Sequence, residues 1–350
     1  FDVIIGNPPY VEYDSSIQQQ YTVRNYQTLD CGNLHAYIVE RSQTVVAHLG
    51  RCGFIVPLPS ISTVRMERLQ RLIKPKKEGK SRSLWVSAFD ERSSNLFSGV
   101  DQRLIVEIFG SSGNYSSLAT TGINRWASRT REYLFPRLSY TIQSGDCMKL
   151  TTSILKIRDS AIEDKLLQSL YSNEAISKYR SKAVTREKLA YRTAGGRYLK
   201  VVSSKPFDSS TLSGKLAYFN GLAGDMAVAI VSSSTFWWYY SCHFDMYNLK
   251  DYMIFGFRFS KWDKEYAESL VSLGKRLVKS LEENAEIQQV ESKTRGTVES
   301  KVYVASRSKP IIDEIDKVLA KHYGFTEEEL DFIINYDIKY RMGKEPQGEE

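Results

Sequence analysis

The chain has 350 residues, of which 42% are hydrophobic and 25% are charged, with a formal net charge of +7 and a pI near 9.0. These values exclude a disordered chain and allow two or three hydrophobic cores. No secretory signal opens the sequence, and Asn220 and Asp225 interrupt its most apolar window, so we expect a cytoplasmic protein without a membrane span. The four cysteines show no paired spacing, which argues against a zinc site, any other metal site or a disulfide framework.

The first predicted element is a short apolar strand at 1–6 that runs into an Asn-Pro-Pro-Tyr loop. Asn7 and Pro8 each precede a proline, so both favour extended backbone, and Pro8 and Pro9 have no N–H to donate. The amide oxygen of Asn7 and the carbonyl of Pro8 can then accept both hydrogens of one planar amine, while the ring of Tyr10 offers a stacking face.

Two converging acceptors suit one particular chemistry, the activation of an exocyclic ring amine such as that of adenine. The lone pair of this nitrogen is delocalised into the ring, so it is a poor nucleophile. The acceptors favour a pyramidal nitrogen, and this interaction is stronger in the transition state than in the ground state. The loop therefore indicates transfer of an electrophilic group, such as a sulfonium methyl, to the amine.

Up to residue 110 the pattern predicts alternating helices and strands. The predicted elements are a helix at 33–49, a strand at 53–57, a helix at 62–74 that ends before Pro75, and strands at 84–89 and 103–109. The strands are unbroken apolar runs, which is typical of a sheet covered on both faces. The serine-rich and glycine-rich stretch 111–117 that follows is predicted to be a linker and a domain boundary.

The rest of the chain shows no clear alternation. Amphipathic helices are predicted near 152–171 and 262–290, and the aromatic run 236–240 is interpreted as a buried helix rather than a stacking platform. An apolar stripe over 311–319 and a Thr-x-x-Glu capping box at 326–329 predict a C-terminal helical hairpin.

The N-terminal blocks resemble the gamma group of N6-adenine DNA methyltransferases of bacterial restriction–modification systems. The resemblance includes the loop at 7–10, the helix at 33–41, the strand at 53–57 and the late hairpin at 95–109, in that order. The chain departs from the family pattern at His35, where another aromatic is commoner.

The resemblance implies an α/β fold, the C-terminal half of a class I, Rossmann-like, methyltransferase sheet followed by an α+β target-recognition domain and a helical tail. The expected domains are 1–110 for the catalytic half, 114–309 for DNA recognition and 310–350 for the helical hairpin and tail.

The resemblance also implies the roles of the residues. Asn7, Pro8, Pro9 and Tyr10 would form the catalytic loop, and Tyr10 and Phe97 would stack on an adenine rotated out of duplex DNA. The implied methyl donor is S-adenosylmethionine.

Cations interleaved with aromatics predict phosphate contacts to duplex DNA. A solvated basic surface is the competing interpretation. The predicted DNA-binding residues are Lys76, Lys77, Arg125, Arg129, Arg186, Arg192 and Arg197.

No glycine-rich turn for the methyl donor precedes Phe1, so we expect a fragment that lacks its N-terminal cofactor-binding half and is inactive alone. The expected partners are that half or a restriction endonuclease. A permuted order would instead make the glycine-rich loop at 219–225 the seat of the donor. The Asn-Pro-Pro-Tyr loop is also compatible with a methyltransferase that acts on RNA or on protein glutamine. The scaffold is also compatible with a DNA-binding specificity subunit that has no catalytic activity. The length of chain beyond the catalytic half favours a DNA reader.

Overall fold

The computed structural model describes residues 1–75, 82–111, 116–194, 198, 201–205, 214–292 and 296–342. The chain divides into two units. The first contains Phe1–Leu167 and Ser241–Asp245, and the second contains Gln168–Tyr240 and the described residues from Met246 onward. Among the described helices, none combines the length and the apolar character needed to cross a membrane.

A six-stranded mixed sheet organises the first unit. Its strands are β1 Val3–Gly6, β2 Arg51–Pro57, β3 Arg82–Phe89, β4 Leu104–Ser111, β5 Ser117–Asn124 and β6 Thr141–Ile142. Their order across the sheet is β1-β2-β4-β3-β5-β6. The pairs β1/β2 and β3/β5 are parallel, and the other neighbours are antiparallel. The predicted strands are therefore confirmed, and the structure adds their mixed directions.

Three of the six described α-helices up to residue 171 lie within stretches that the periodicity predicts to be helical, and in the stretch predicted at 62–74 the continuous α-helix runs only from Glu67 to Ile73. The six helices are α1 Ser15–Gln18, α2 Leu34–Val45, α3 Pro59–Ser62, α4 Glu67–Ile73, α5 Gly145–Leu150 and α6 Ser160–Tyr171. The helix predicted at 33–49 ends at Val45 because Val46 is extended and the Ala47 amide donates to the Phe1 carbonyl at 2.7 Å. The stretch predicted at 152–171 is helical only from Ser160.

The sheet continues past the predicted linker at 111–117. β4 extends to Ser111, and β5 begins at Ser117, which pairs with Ser83 of β3. Leu118 and Ala119 are buried, so this segment contributes to the same core. The division of the chain into units lies after Leu167 instead of near residue 110. The functional extents of the three expected domains stay predictions.

The core of the first unit lies mainly on one face of the central strands. Phe54, Val56, Leu84 and Val86 share that face and are at most 2% exposed, whereas Trp85 and Ile108, which pair on the opposite face, are 42% and 44% exposed. The expectation of strands covered on both faces is therefore wrong at these positions. The edge strand β1 continues the more open face, where its Val3 and Ile5 are 59% and 83% exposed. This edge presents apolar side chains to solvent.

The second unit contains an antiparallel sheet and a separate hairpin. The sheet strands are β7 Arg180–Ser181, β8 Lys188–Arg192, β9 Val201–Ser203 and β10 Gly214–Phe219, in the order β7-β10-β8-β9, and the hairpin strands are β11 Glu286–Ser292 and β12 Gly296–Val302. The remaining helices are α7 Gly224–Ser232, α8 Ser234–His243, α9 Asp251–Phe255, α10 Lys264–Glu283, α11 Lys309–Tyr323, α12 Glu327–Asn335 and α13 Ile338–Met342. The helix predicted at 262–290 ends at Glu283, and residues 286–290 lie in strand β11 instead.

Two sequence interpretations in this part of the chain are confirmed. The aromatic run 236–240 lies in α8, and each of its side chains is at most 5% exposed, as expected for a buried helix. Gly324, at a φ of 71°, ends α11, and the capping box between Thr326 and Glu329 opens α12.

Candidate active site

The loop Asn7–Tyr10 lies directly after the carboxyl end of β1. β1 runs parallel to β2, and Pro57 at the end of β2 lies opposite Leu104, the first residue of the antiparallel strand β4. The ends of β1 and β2 and the start of β4 therefore share one edge of the sheet. The loop between β3 and β4, which contains Phe97, lies at the same edge as the Asn-Pro-Pro-Tyr loop, because Phe89 at the end of β3 pairs with Leu104.

The Asn-Pro-Pro-Tyr loop is open to solvent. Asn7 and Pro9 are exposed, Pro8 is buried and Tyr10 is half-buried. Packed side chains therefore do not seal the loop, and a ligand can reach the amide of Asn7 from solvent.

Tyr10 connects the loop to the sheet through its hydroxyl. Tyr10 Oη lies 2.6 Å from Asn7 Oδ1 and 3.1 Å from the carbonyl oxygen of Ile55, and its single proton can be donated to either acceptor. Burial raises the pKa of Tyr10 to about 12, so the phenol stays protonated at neutral pH. The hydroxyl can thus orient the amide oxygen of Asn7. This oxygen has two lone pairs and keeps one for an incoming amine.

Tyr10 and Phe97 pack against one apolar cluster at this edge. The buried members of the cluster are Phe89, Leu96, Leu104, Trp126 and Leu134. The half-buried side chains around it are Tyr10, Ile55, Phe97, Val100, Val106 and Leu138. The structure therefore brings together the two aromatic residues that the sequence resemblance connected only by their order along the chain.

His35, the departure from the family pattern, is a buried neutral side chain behind the loop. Its Nδ1 lies 2.5 Å from Asn33 Oδ1, and its Nε2 lies 3.0 Å from Ser60 Oγ. Burial lowers the pKa of His35 to about 4, so the ring is uncharged at neutral pH. The ring meets Tyr10 edge to face with the centroids 6.5 Å apart. His35 thus takes the packing role expected of an aromatic at this position.

A buried ion-pair network, which the sequence interpretation missed, closes the base of the Phe97 loop. Arg103 Nε donates to Asp90 Oδ1 at 2.8 Å, and Arg125 Nε donates to Asp90 Oδ2 at 2.7 Å. Burial alone would raise the pKa of the Asp90 carboxyl, but the charges of Arg125 and Arg103 hold it below its usual value. The signal in the sequence was a charged residue at each strand end, directly after β3 and directly before β4.

The predicted DNA-binding cations have different surroundings. Arg125 is mostly buried in its pair with Asp90, so the structure gives it a structural partner in place of an exposed phosphate-facing position. Arg129, Arg186 and Arg192 are exposed, the first in the first unit and the other two in the second. Lys76, Lys77 and Arg197 lie outside the described residues.

The glycine-rich loop at 219–225 does not have the geometry of a seat for S-adenosylmethionine. The strand before it, β10, is antiparallel to both of its neighbours. At the start of α7 the Gly224 amide donates to Glu187 Oε2 at 2.7 Å, and a Cβ on Gly224 would lie 2.5 Å from the Lys188 carbonyl oxygen. A carboxylate and a neighbouring backbone therefore fill the helix N-terminus where an anionic ligand would bind.

No ligand set for a metal ion is present in the part of the chain that the structure describes. Within those ranges no three His, Cys, Asp or Glu side chains converge as metal ligands. All four cysteines are buried.

Comparison with known families identifies the segment that carries the candidate site. Residues 1–98 match the sequence profile of the family described as Eco57I restriction-modification methylase. This match includes the loop Asn7–Tyr10 and Phe97, and it supports a methyltransferase role in restriction–modification for this segment. No curated protein sequence matches the chain.

Solved structures resemble the chain mainly in fold. The Type IIL restriction-modification enzyme MmeI, solved in complex with DNA, is 10% identical, with a TM-score of 0.52 over 97% of this chain and 56% of MmeI. The ATP-dependent Type ISP enzyme LlaBIII, bound to DNA, is 11% identical, with a TM-score of 0.38 over 84% of this chain and 31% of its own. A DrdV–DNA complex is 12% identical, with a TM-score of 0.34 over 56% of this chain and 22% of its own. Of these three structures, MmeI alone has a TM-score that indicates a shared mixed α/β fold. The present chain spans about half of the length of MmeI and less of the other two proteins.

Proposed function

We propose that this chain takes part in methylating the N6 amine of adenine in duplex DNA, within a restriction–modification or phage-defence system. One observation carries the proposal. The solvent-accessible amide of Asn7 and the rings of Tyr10 and Phe97 meet at one edge of the sheet, inside the segment that matches a methylase family.

Asn7 and Pro8 would hold the amine. The oxygen of Asn7, oriented by the Tyr10 hydroxyl, and the carbonyl of Pro8 would each accept one N–H of the adenine amino group. This pair of acceptors localises the nitrogen lone pair, and it favours the pyramidal geometry that the nitrogen adopts as the new bond forms.

Tyr10 and Phe97 would hold the base. The N6 amine is engaged in the base pair, so the adenine must leave the helix before it can reach the loop. Extrusion costs a few kcal/mol, and stacking on aromatic side chains offsets about 1–3 kcal/mol for each base. Both rings are half-buried on one cluster, which leaves part of each ring available for such a contact.

Exposed cations would supply the phosphate contacts. Arg129, Arg186 and Arg192 are the described candidates, whereas Arg125 stabilises the protein through Asp90. Contacts of this kind fix the register of a protein on DNA without reading its sequence.

S-adenosylmethionine is the methyl donor that we propose, and when bound it supplies an electrophilic methyl group. The glycine-rich loop before α7 does not fit this donor, since Glu187 fills it. The edge of β1 supports a further methyltransferase segment that would seat the donor. Val3 and Ile5 are exposed beside an apolar groove of about 1000 Å³ between β1 and α2. A strand and a helix of such a segment, on the same or another polypeptide, would cover this edge.

The test of the proposal is a methylation assay on the complete methyltransferase that contains this chain. Unmethylated plasmid DNA is incubated with labelled S-adenosylmethionine, digested to nucleosides and analysed by mass spectrometry, and we expect N6-methyladenine. Asn7→Ala should lower the rate about 100- to 1000-fold, the usual cost of losing one preorganised polar contact in an active site. DNA affinity should stay within about twofold, since phosphate contacts dominate it.

Asn335→Ala removes an exposed asparagine at the end of α12 and serves as the matched control, with an unchanged rate expected. Methylated RNA or methylated glutamine as the product would contradict the DNA assignment. Specific DNA binding by a wild-type protein that transfers no methyl group would favour a specificity subunit without catalysis.

A further inference from the structure

The loop that carries Phe97 is fixed at both of its ends. Asp90 and Arg103, which flank it, form an ion pair whose side chains are 0% and 2% exposed. The Leu58 amide donates to the Arg103 carbonyl at 2.9 Å, and the Asp90 amide donates to the Asn124 carbonyl at 2.9 Å. The loop therefore starts and ends on backbone that belongs to the sheet.

The loop is also fixed in its middle, by an arginine from outside it. Arg131 Nη1 donates to the Asn95 carbonyl at 3.1 Å, and Arg131 Nη2 donates to the Leu96 carbonyl at 2.6 Å. A guanidinium is a rigid planar fork, so these two bonds set the orientation of two successive peptide groups. They are the two carbonyls that directly precede Phe97.

The chain on the other side of Phe97 forms a tight turn. The Val100 amide donates to the Phe97 carbonyl at 3.2 Å, and Gly99 has a φ of 75°, which favours glycine. Leu96 is buried in the cluster that also contacts Tyr10. The backbone of Phe97 is thus held between the Arg131 fork and this turn.

We infer that Arg131 is a positioning residue, which sets the ring of Phe97 at the distance from Tyr10 that an extruded base requires. The inference rests on the function proposed above. Arg131 acts through the carbonyls of Asn95 and Leu96 and does not touch the base itself. Its side chain is exposed, so its removal leaves the buried Asp90–Arg103 pair and the core intact.

The competing role for Arg131 is a phosphate contact, because it lies close to Arg129 in the arginine-rich segment 125–137. The two roles differ in their dependence on salt. Loss of one phosphate contact changes the slope of log affinity against log salt by about 0.9, whereas loss of a positioning contact leaves the slope unchanged. The salt dependence of DNA binding by Arg131 variants therefore separates the two roles.

The experiment uses the complete methyltransferase, single-turnover methylation, and duplexes with a fluorescent adenine analogue at the target. Arg131→Ala should lower the methylation rate and the fluorescence rise about tenfold, since small displacements in a reacting complex cost up to about a hundredfold. Arg131→Lys should recover little of the loss, because an ammonium cannot bridge both carbonyls as a fork. DNA affinity, its salt slope and the melting temperature should match those of Arg137→Ala. This control removes an exposed arginine of the same segment whose guanidinium lies 4.8 Å from the ring centre of Tyr133.

A double-mutant cycle distinguishes positioning from an independent effect. In the Phe97→Ala background, adding Arg131→Ala should cause no further loss. Additive losses, an unchanged rate in Arg131→Ala, or a reduced salt slope would overturn the inference. If Phe97→Ala lowers methylation and Arg131→Ala does not, only this inference fails. If Asn7→Ala and Phe97→Ala both leave methylation intact, the proposed function itself fails.

Discussion

Two loops of this molecule follow a strand and contain residues associated with ligand binding, but their surroundings differ. The loop Asn7–Tyr10 leaves an amide oxygen open to solvent beside a half-buried tyrosine. The loop at 219–225 ends in a helix N-terminus, which is filled by the Glu187 carboxylate and lies against the backbone of Lys188. Both loops matched a motif by spacing. The packing around them shows which loop has room for a ligand.

Gly224→Ala tests the contrast between the two loops through the stability of the protein. The new Cβ would lie 2.5 Å from the Lys188 carbonyl oxygen, a backbone atom that cannot move alone, so we expect a loss of about 1–3 kcal/mol in the free energy of unfolding. The measurement is denaturant unfolding of the purified protein. Gly145→Ala is the control, because a Cβ there meets nothing within 4 Å and should leave stability nearly unchanged.

Unchanged stability in Gly224→Ala, together with lost binding of S-adenosylmethionine, would reverse the interpretation of the second loop. That result would make the loop at 219–225 the seat of the methyl donor.

A buried carboxyl group makes the stability of the first unit depend on pH. Glu107 in β4 is 0% exposed, neither of its carboxyl oxygens has a hydrogen-bond partner among the described residues, and burial raises its pKa to about 8. The folded state therefore retains a proton that the unfolded state releases near pH 4.5. The contribution of this retained proton to the free energy of unfolding is fully present below about pH 4.5. It falls by at most about 1.4 kcal/mol per pH unit as the pH rises to about 8.

Glu107→Gln removes the titration, so its unfolding free energy should fall less between pH 5 and pH 8 than that of the wild type. Urea unfolding across this range measures the difference. Parallel pH profiles for the two proteins would show that Glu107 does not hold a proton in the folded state. Glu187, bonded to the Gly224 amide, provides the contrasting case of a carboxylate with a partner.

Tyr10→Phe should have the smallest effect on the first loop. It keeps the ring and loses the hydroxyl that bonds Asn7 Oδ1, a contact of about 1 kcal/mol, so methylation should slow about fivefold while base capture stays normal. Tyr10→Ala removes the ring as well and should reduce the fluorescence rise of an adenine analogue at the target. Equal fluorescence in Tyr10→Ala and the wild type would assign stacking to another side chain.

Local rules explain why most of the first sheet was predictable. Apolar runs such as 54–56 and 104–106 predicted strands, Pro75 predicted the end of α4, and Thr326 with Glu329 predicted the start of α12. The aromatic run 236–240 was correctly interpreted as core. Each of these signals depends on backbone chemistry or periodicity within a few residues.

Long-range packing explains what was missed. The serine-rich stretch at 111–117 has the composition of a linker, but β5 follows it into the same sheet because Leu118 and Ala119 find space beside β3. In the sequence, Arg125 looks like one of several surface cations. Its partner Asp90 is distant in sequence, so the ion pair between them is visible only in the folded structure.

Local sequence was enough to predict the strand, the Asn-Pro-Pro-Tyr loop and the acceptors that the loop can offer, because proline restricts its own backbone and that of the residue before it. The distant residues that surround this loop became known only from the folded structure. That structure placed Phe97 on the cluster that contacts Tyr10, tied Arg131 to the carbonyls before Phe97, and filled the second loop with Glu187. Such contacts depend on strand order and direction, which arise from burial summed over the whole sheet and not from any local pattern.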